Sequence, residues 1–256
     1  MFVDGDDYLH VDAIKAMYEA ITGDGGPYDM AIIDRTFTHD QNEDIQAPVP
    51  ATAANTTLTQ QELIANLFTH SDDAIFIYMW NKLYRRDIID GVEVRPYKRT
   101  QDFDFNLRTY LHTTKAVWIH RPLYFYVQWD GAATRQADTY TLYYQCITKI
   151  LYSNLQELHA SQSCYRHFLL TKLYRRMVSL KNHTLFTPIE DEARRQCNEY
   201  ERATRKEFLH DRKIPLTTKA TLMFLLHNPR LVKWVKGLSK RQKAFSFLGK
   251  WFFWIK

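Results

Sequence analysis

Residues 1–9 are Met1-Phe2-Val3-Asp4-Gly5-Asp6-Asp7-Tyr8-Leu9, an apolar run that ends in acidic residues. A parallel strand delivers polar side chains to the carboxyl edge of an α/β sheet in this way. The sequence therefore predicts a strand over the first three residues and an acidic turn at a sheet edge. Strands usually have about 5–6 residues and need neighbours. Only three residues precede this turn, so we expect the chain to begin inside a larger domain.

The rest of the chain divides into an alternating part and a helical part. Predicted strands and helices alternate up to residue 136, and the pattern is helical from residue 137 onward. We therefore predict an α/β domain over 1–136 and a helical extension over 137–256. The predicted elements are a helix with Ile14, Met17, Tyr18 and Ile21 inward, a strand at Tyr28–Phe37, a helix opened by a capping box of Thr59 and Glu62 with Leu63, Ile64, Leu67 and Phe68 inward, a strand at Ala74–Met79, a helix after Asp102, and short strands at Val117–Ile119 and Leu123–Val127.

The composition excludes several classes of protein. Glycine is scarce, at 8 of 256 residues, and neither common glycine-rich phosphate loop occurs. Three cysteines without a CxxC spacing fit a reducing compartment. No stretch of the sequence reaches the roughly 18 apolar residues of a membrane span. We therefore expect a cytoplasmic protein, either free or peripheral on the inner face of the cell membrane.

The net charge of +5 hides an asymmetry along the chain. From Arg212 to Lys256 there are eleven basic and no acidic residues, which leaves residues 1–211 with a net charge of −6. Over residues 230–256 the basic residues are interleaved with Trp, Phe and Leu at helical spacing, a composition typical of helices that bind anionic membrane surfaces. The alternatives are a helical bundle whose apolar faces pack on the body, and non-specific attraction to nucleic acid.

Two acidic segments are candidates for chemistry. Asp4 and Asp6 offer hard oxygen ligands that suit Mg²⁺ or Mn²⁺, although such a turn is also common in solvated loops. Residues 101–105 (QDFDF) place Asp102 at a predicted helix start. The helix dipole favours a carboxylate there without any catalytic role. The spacing alone leaves both alternatives open for each segment.

Four segments resemble, in the same order, motifs of the family 2 glycosyltransferases. Residues 2–9 are similar to the DxD segment, residues 80–86 (WNKLYRR) to the W-N-K-L-Y element, and residues 101–106 (QDFDFN) to the E-D-x-x-F-N helix start. Residues 116–126 (AVWIHRPLYFY) resemble the segment that ends in P-L-Y-Y-Y. The resemblance implies a Rossmann-like GT-A fold. It also implies inverting transfer of a sugar from a nucleotide-sugar donor to a saccharide or lipid-linked acceptor in cell-surface polysaccharide synthesis.

The resemblance also implies roles for single residues. Asp4 and Asp6 would hold the Mg²⁺ or Mn²⁺ that bridges the donor diphosphate, and Asp102 would be the general base for the acceptor hydroxyl. Gln101 stands where the family has Glu, which removes a like charge beside Asp102 and lowers its basicity. The residues near the acceptor, where an indole face can pack on a sugar ring, would be Trp80, Asn81, Lys82 and Gln101.

The family has a strand-rich portion before its DxD segment, which binds the base and ribose of the donor. By this comparison we expect an N-terminally truncated enzyme with little transferase activity. The rival hypothesis is a non-catalytic interaction module, a remnant held at the membrane by its basic tail. For residues 80–84 the alternative to acceptor binding is that Trp80, Leu83 and Tyr84 belong to the core and Lys82 is exposed. A third hypothesis is a phosphatase with Asp4 as nucleophile and Asp6 as acid. It is disfavoured because Asp7 stands where that class usually has Gly or Thr.

Overall fold

The computed structural model describes residues 1–23, 27–39, 46–69, 75–128 and 139–233. The chain divides into two compact units, and each is described by itself. The first unit comprises Met1–Pro96 and Gln101–Gln136, and the second comprises Tyr97–Thr100 and Ala137–Lys256.

A curled, mixed sheet of five strands organises the first unit. The central strand β5 runs parallel to β2 along one edge. Its other edge pairs antiparallel with β3 at one end and with β1 at the other, and β4 pairs antiparallel with β2. The elements are β1 (Tyr8–Leu9), α1 (Ala13–Thr22), β2 (Met30–Thr38), β3 (Thr56–Thr59), α2 (Gln60–Thr69), β4 (Lys82–Tyr84), α3 (Arg86–Ile89), α4 (Gln101–Tyr110) and β5 (Lys115–Val127).

The second unit is helical throughout its described elements. Helix α6 packs against α5, α7 and α8. Its Tyr174 ring stacks on Phe208 of α7, with centroids 3.7 Å apart, and both rings are buried. The elements are α5 (Thr139–Glu157), a 3-10 helix (Ala160–Tyr165), α6 (Arg166–Thr184), α7 (Glu190–His210) and α8 (Leu216–His227). An α/β part followed by helices is therefore confirmed as the fold class.

The strand β5 corrects the prediction of two short strands. Lys115–Val127 is one strand that continues through Arg121 and Pro122. Proline has no N–H to donate to a ladder, and the register of β2 against β5 shifts beside it, where Asp34 lies opposite Pro122. The irregularity bends the sheet without ending the strand.

Two other predicted strands are wrong. Met1–Val3 is not a strand, and the first strand follows the acidic turn. Phe2 packs edge-on against Tyr84 and Phe105, at centroid distances of 6.1 and 5.4 Å, so side chains hold this segment in place of a strand ladder. Residues 75–79 form turns, because side chains satisfy their carbonyls; Ala74 lies outside the described residues.

Helix α1 has a narrower apolar face than predicted. Met17 and Ile21 are buried as expected, together with Ala13, whereas Ile14 and Tyr18 are 48% and 62% exposed. A helix that lies on one face of a sheet needs a single stripe at four-residue spacing, and positions one residue further on turn about 100° away from it.

Among the described residues, no helix combines the length and the apolar character needed to cross a bilayer.

The capping box at α2 is confirmed and supports a stability prediction. The Glu62 carboxylate accepts hydrogen bonds from the backbone N and the hydroxyl of Thr59, both at 2.8 Å, and Glu62 N donates to the Thr59 hydroxyl at 3.3 Å. We expect Thr59→Ala to lower the free energy of unfolding by about 1 kcal/mol, measured by urea denaturation. Thr69→Ala, at the other end of the same helix, is the control and should change it by less than about 0.5 kcal/mol. Equal effects would mean that the cap contributes nothing specific.

Candidate active site

The acidic turn at residues 4–7 is anchored to β5 by Asp7. Asp7 N donates to the carbonyl of Asp4 at 3.2 Å and closes the turn. The Asp7 carboxylate accepts hydrogen bonds from Tyr124 Oη at 2.7 Å and from Val127 N at 2.9 Å, and Asp4 N donates back to Tyr124 Oη at 3.3 Å. Asp4 and Asp6 are left exposed on this anchored turn. The anchoring by Asp7 and Tyr124 was not predicted.

Asp102 lies in the first turn of α4, directly after the half-buried Gln101. Its carboxylate accepts a hydrogen bond from Met79 N at 3.2 Å. Burial raises the pKa of Asp102 above its usual range, against the opposing effects of the Met79 hydrogen bond and the Lys82 charge. The sequence predicts that Gln101, in the place of the family's Glu, lowers the basicity of Asp102. Burial raises the pKa of Asp102 and so acts in the opposite direction.

The acidic turn and Asp102, which are far apart in the sequence, share one electrostatic environment. The pKa of Asp4 is raised to about 6, chiefly because Asp4 is partly desolvated, and further by the negative charges of Asp7, Asp102 and Asp6. Folding therefore brings together two of the segments singled out in the sequence. A cluster of carboxylates with an unfavourable negative field is an environment that a cation stabilises.

Asn81 and Lys82 are fully buried and bind backbone carbonyls. Asn81 Nδ2 donates to the carbonyls of Ile33 and Ile75 at 3.0 and 3.1 Å. Lys82 Nζ donates to Ile75 O and to Asn81 Oδ1, both at 2.7 Å, and also to Tyr78 O. Three acceptors match the three N–H bonds of an ammonium group, while burial lowers the pKa of Lys82 and the nearby Asp102 charge opposes that change.

Side chains from β4 and α4 hold the whole of segment 75–79. Every carbonyl from residue 75 to residue 79 accepts at least one hydrogen bond from a buried side chain. Besides the Asn81 and Lys82 contacts, Tyr110 donates to Phe76 O at 2.7 Å, Asn106 to Ile77 O and Tyr78 O at 2.6 and 3.0 Å, and Tyr84 to Met79 O at 3.2 Å. Side chains of residues 81–84 and of α4 therefore meet at one turn segment. The N–H of its last residue, Met79, binds Asp102.

The indole of Trp80 is 2% exposed and belongs to an aromatic stack. It lies between Tyr78 and Tyr124, at centroid distances of 4.5 and 4.1 Å, and it also stacks with Tyr126 at 5.6 Å. Tyr78 and Tyr126 are half-buried and carry the stack to the surface. The resemblance implies an indole face at Trp80 for the acceptor sugar, but this indole is buried, and the ring surface near solvent belongs to these two tyrosines, which sequence reasoning did not single out.

An arginine adjoins the outer end of this stack. The Arg35 guanidinium lies 4.7 Å from the Phe37 ring centroid and 5.3 Å from that of Tyr78. Arg35 and Phe37 alternate along β2 and pair with Tyr124 and Tyr126 of β5, so all four share one face of the sheet. In the sequence, the alternation of side chains along β2 was the only sign that these four residues share a face.

The residues that could hold a metal ion are Asp4 and Asp6. Within the described ranges, no three or more His, Cys, Asp or Glu side chains are grouped so as to bind a metal. Two carboxylates that repel one another fit a Mg²⁺ or Mn²⁺ ion whose remaining ligands come from water and phosphate oxygens.

No protein-family model matches the chain, and a search of curated proteins also found no match. The resemblance to family 2 glycosyltransferases therefore stays a prediction. Of the basic segment 230–256 the structure describes Arg230–Lys233 alone.

The juxtaposition of Asp102 and Asp4 can be measured directly. We expect Asp4 to titrate near pH 6 in metal-free buffer, followed through its carboxyl carbon by NMR. Asp102→Asn removes one repelling charge and should lower the pKa of Asp4. Asp12→Asn, an exposed carboxylate nearer in sequence, is the control and should leave it unchanged. An unaltered pKa in Asp102→Asn would contradict the shared environment.

The buried ammonium of Lys82 supports a prediction about stability and pH. Lys82→Met removes the Lys82 donor from the buried Asn81 Oδ1 and leaves Ile75 O and Tyr78 O with one side-chain donor each, and it should lower the free energy of unfolding by about 1–3 kcal/mol. Because the folded pKa of Lys82 is lowered, the unfolded chain binds more protons between that pKa and about 10.4. The wild type should therefore gain stability relative to Lys82→Met as the pH rises through this window.

The measurement is urea denaturation of both proteins across that pH range. Lys15→Met, at an exposed lysine of α1, is the control and should show neither the loss of stability nor the pH-dependent difference. A constant difference between wild type and Lys82→Met would mean that Lys82 keeps an ordinary pKa.

Proposed function

We propose that this chain is an inverting glycosyltransferase of the GT-A type. It would transfer a sugar from a nucleotide-sugar donor to a saccharide or lipid-linked acceptor in cell-surface polysaccharide synthesis. The observation that carries the proposal is that the charge of Asp102 acts on Asp4 of the acidic turn, while Tyr124 of the aromatic stack anchors the same turn through Asp7. The parallel pair β2 and β5, covered by helices, is compatible with this fold.

Asp4 and Asp6 would hold Mg²⁺ or Mn²⁺ on the anchored turn. When bound, that ion supplies positive charge to a leaving diphosphate. The turn itself is held by Asp7, whose two oxygens are engaged by Tyr124 and Val127. Asp7 thus has a positioning role, and Asp4 and Asp6 stay available to a ligand.

Asp102 would act as the general base that removes the proton of the acceptor hydroxyl. Its raised pKa makes it a better proton acceptor than an ordinary aspartate, which suits this role near neutral pH. The Met79 N–H fixes one carboxylate oxygen. Lys82 and Asn81 act on Asp102 as positioning residues, because they hold the segment that carries this N–H.

The acceptor sugar would pack on the outer rings of the aromatic stack. Tyr78 and Tyr126 present ring surface at the boundary with solvent, and the buried Trp80 supports both from behind. Gln101, half-buried at the start of α4 and adjacent to Asp102, would contribute a hydrogen bond to the acceptor.

Titration with Mn²⁺ and a nucleoside diphosphate tests the proposal. We expect UDP or another nucleoside diphosphate to bind by calorimetry when Mn²⁺ is present and not when it is chelated. Asp6→Ala should abolish the Mn²⁺-dependent binding, because one of the two proposed protein ligands is lost. Glu19→Ala, at an exposed carboxylate of α1 in the same unit, is the matched control and should bind as the wild type does.

A second readout separates binding from transfer. Asp102→Asn should keep the Mn²⁺-dependent binding and lose whatever sugar transfer the wild type shows with saccharide acceptors. Nucleotide binding that is independent of metal, or unchanged in Asp6→Ala, would count against the proposed enzyme and for the non-catalytic module.

A further inference from the structure

The second unit contains an exposed aromatic residue whose backbone conformation is rare. Phe186, in the connection between α6 and α7, is 71% exposed. Its φ angle is 67°, in the left-handed region that a residue with a bulky side chain rarely adopts. Strained residues of this kind persist where their surroundings hold them, and they are concentrated at functional sites.

Hydrogen bonds on both sides hold Phe186 in this conformation. Phe186 N donates to the Glu190 carboxylate at 2.7 Å, and Thr187 N donates to Thr184 O at 3.0 Å. The preceding carbonyl, of Leu185, accepts a hydrogen bond from Lys233 Nζ at 3.3 Å. The fold therefore holds the backbone at Phe186 in this conformation.

Cationic side chains surround the exposed ring. Arg230 and Lys233 lie 5.9 and 5.0 Å from its centroid. A surface cavity of about 540 Å³ adjoins them and is lined by Lys181, Arg194 and Arg230 among others. The carboxylate of Glu190 also lines this cavity, and it is already bound to Arg194 and to Phe186 N. We call Phe186, Arg230, Lys233, Lys181 and Arg194 the Phe186 patch.

The sequence that follows the patch is also basic and aromatic. Residues 234–256 contain six basic and seven aromatic residues and no acidic residue. The patch is thus continuous along the chain with a segment whose composition favours an anionic, partly apolar partner. An exposed aromatic ring flanked by Lys and Arg is the arrangement by which proteins bind the interface of anionic bilayers.

We propose that the Phe186 patch docks on an anionic lipid membrane. The Phe186 ring enters the headgroup region, and Arg230, Lys233 and the cavity lysine and arginine lie against lipid phosphates. The apolar surface of the patch favours a bilayer over a nucleic acid. Leu231, next to Arg230 and also exposed, adds apolar surface that phosphate-rich nucleic acid does not reward.

Co-sedimentation of the full chain with vesicles tests this surface. The probes are vesicles of phosphatidylcholine alone and of phosphatidylcholine with about one-third phosphatidylglycerol, at about 0.1 M salt. We expect binding to the anionic vesicles only. Arg230→Gln should weaken it about fivefold, since each basic residue near the surface contributes about that factor. Phe186→Asn should weaken it about fivefold or more through lost apolar contact.

Matched controls separate this surface from general effects. Asn tolerates a positive φ, so Phe186→Asn should keep the fold, which circular dichroism checks. Leu216→Asn removes an apolar residue that is 79% exposed at the far end of α8, and Lys149→Gln removes an exposed charge on α5. Both should bind as the wild type does.

Three results would overturn the proposal. One is equal binding to neutral and anionic vesicles. Another is unchanged binding in both Phe186→Asn and Arg230→Gln, which would place all affinity in other parts of the chain. The third is tighter binding to a single-stranded oligothymidylate than to anionic vesicles, with the same sensitivity to Phe186→Asn, which would assign the patch to nucleic acid. Because the substitutions of this test lie in the second unit and those of the Mn²⁺ titration lie in the first, failure here leaves the test of the proposed enzyme unaffected.

Discussion

The hydrogen bonds from buried side chains to the carbonyls of residues 75–79 are the constraint on which the candidate site depends. Segment 75–79 has neither a helical ladder nor a strand partner, yet its backbone is almost entirely buried in the first unit. Buried carbonyls without donors are costly, and here Lys82, Asn81, Asn106, Tyr84 and Tyr110 supply the donors. Five side chains, from residues 81–84 and from α4, thus hold the segment in one conformation.

This constraint reaches the proposed chemistry through Met79. Its N–H binds the carboxylate of Asp102, so the orientation of the proposed base depends on the conformation of the turn before it. The adjacent Trp80 stacks on Tyr124, and Tyr124 in turn anchors the acidic turn through Asp7. A single connected set of buried contacts thus relates the position of Asp102 to that of Asp4 and Asp6.

Local features of the sequence predicted local structure well. The capping box at Thr59 and Glu62 and the strand around Ile32 depend on neighbours within a few residues, and both are confirmed. The run from Ile75 to Met79 was mistaken for a strand because its apolar composition is that of a buried strand, while its donors come from Lys82 and, much later in the chain, from Asn106 and Tyr110. For the same reason the burial of Lys82 was not foreseen: a lysine between a tryptophan and a tyrosine gives no sign that three carbonyls surround it.

Each unit has a local excess of one sign of charge, negative at the acidic turn and positive at the Phe186 patch. Asp7 and Asp102 accept hydrogen bonds from the protein, yet burial raises the pKa of both. The pKa of Asp4 is raised to about 6, chiefly by desolvation and further by the negative charges of Asp7, Asp102 and Asp6. In the second unit, Glu190 is engaged by Phe186 N and Arg194, so the positive charges of Arg230 and Lys233 at the exposed ring exceed the negative charge beside them. A fold tolerates such local excess where water or a ligand screens it. The two excesses have opposite sign and belong to separate units, so the proposed cation and the proposed anionic surface would not compete for the same residues.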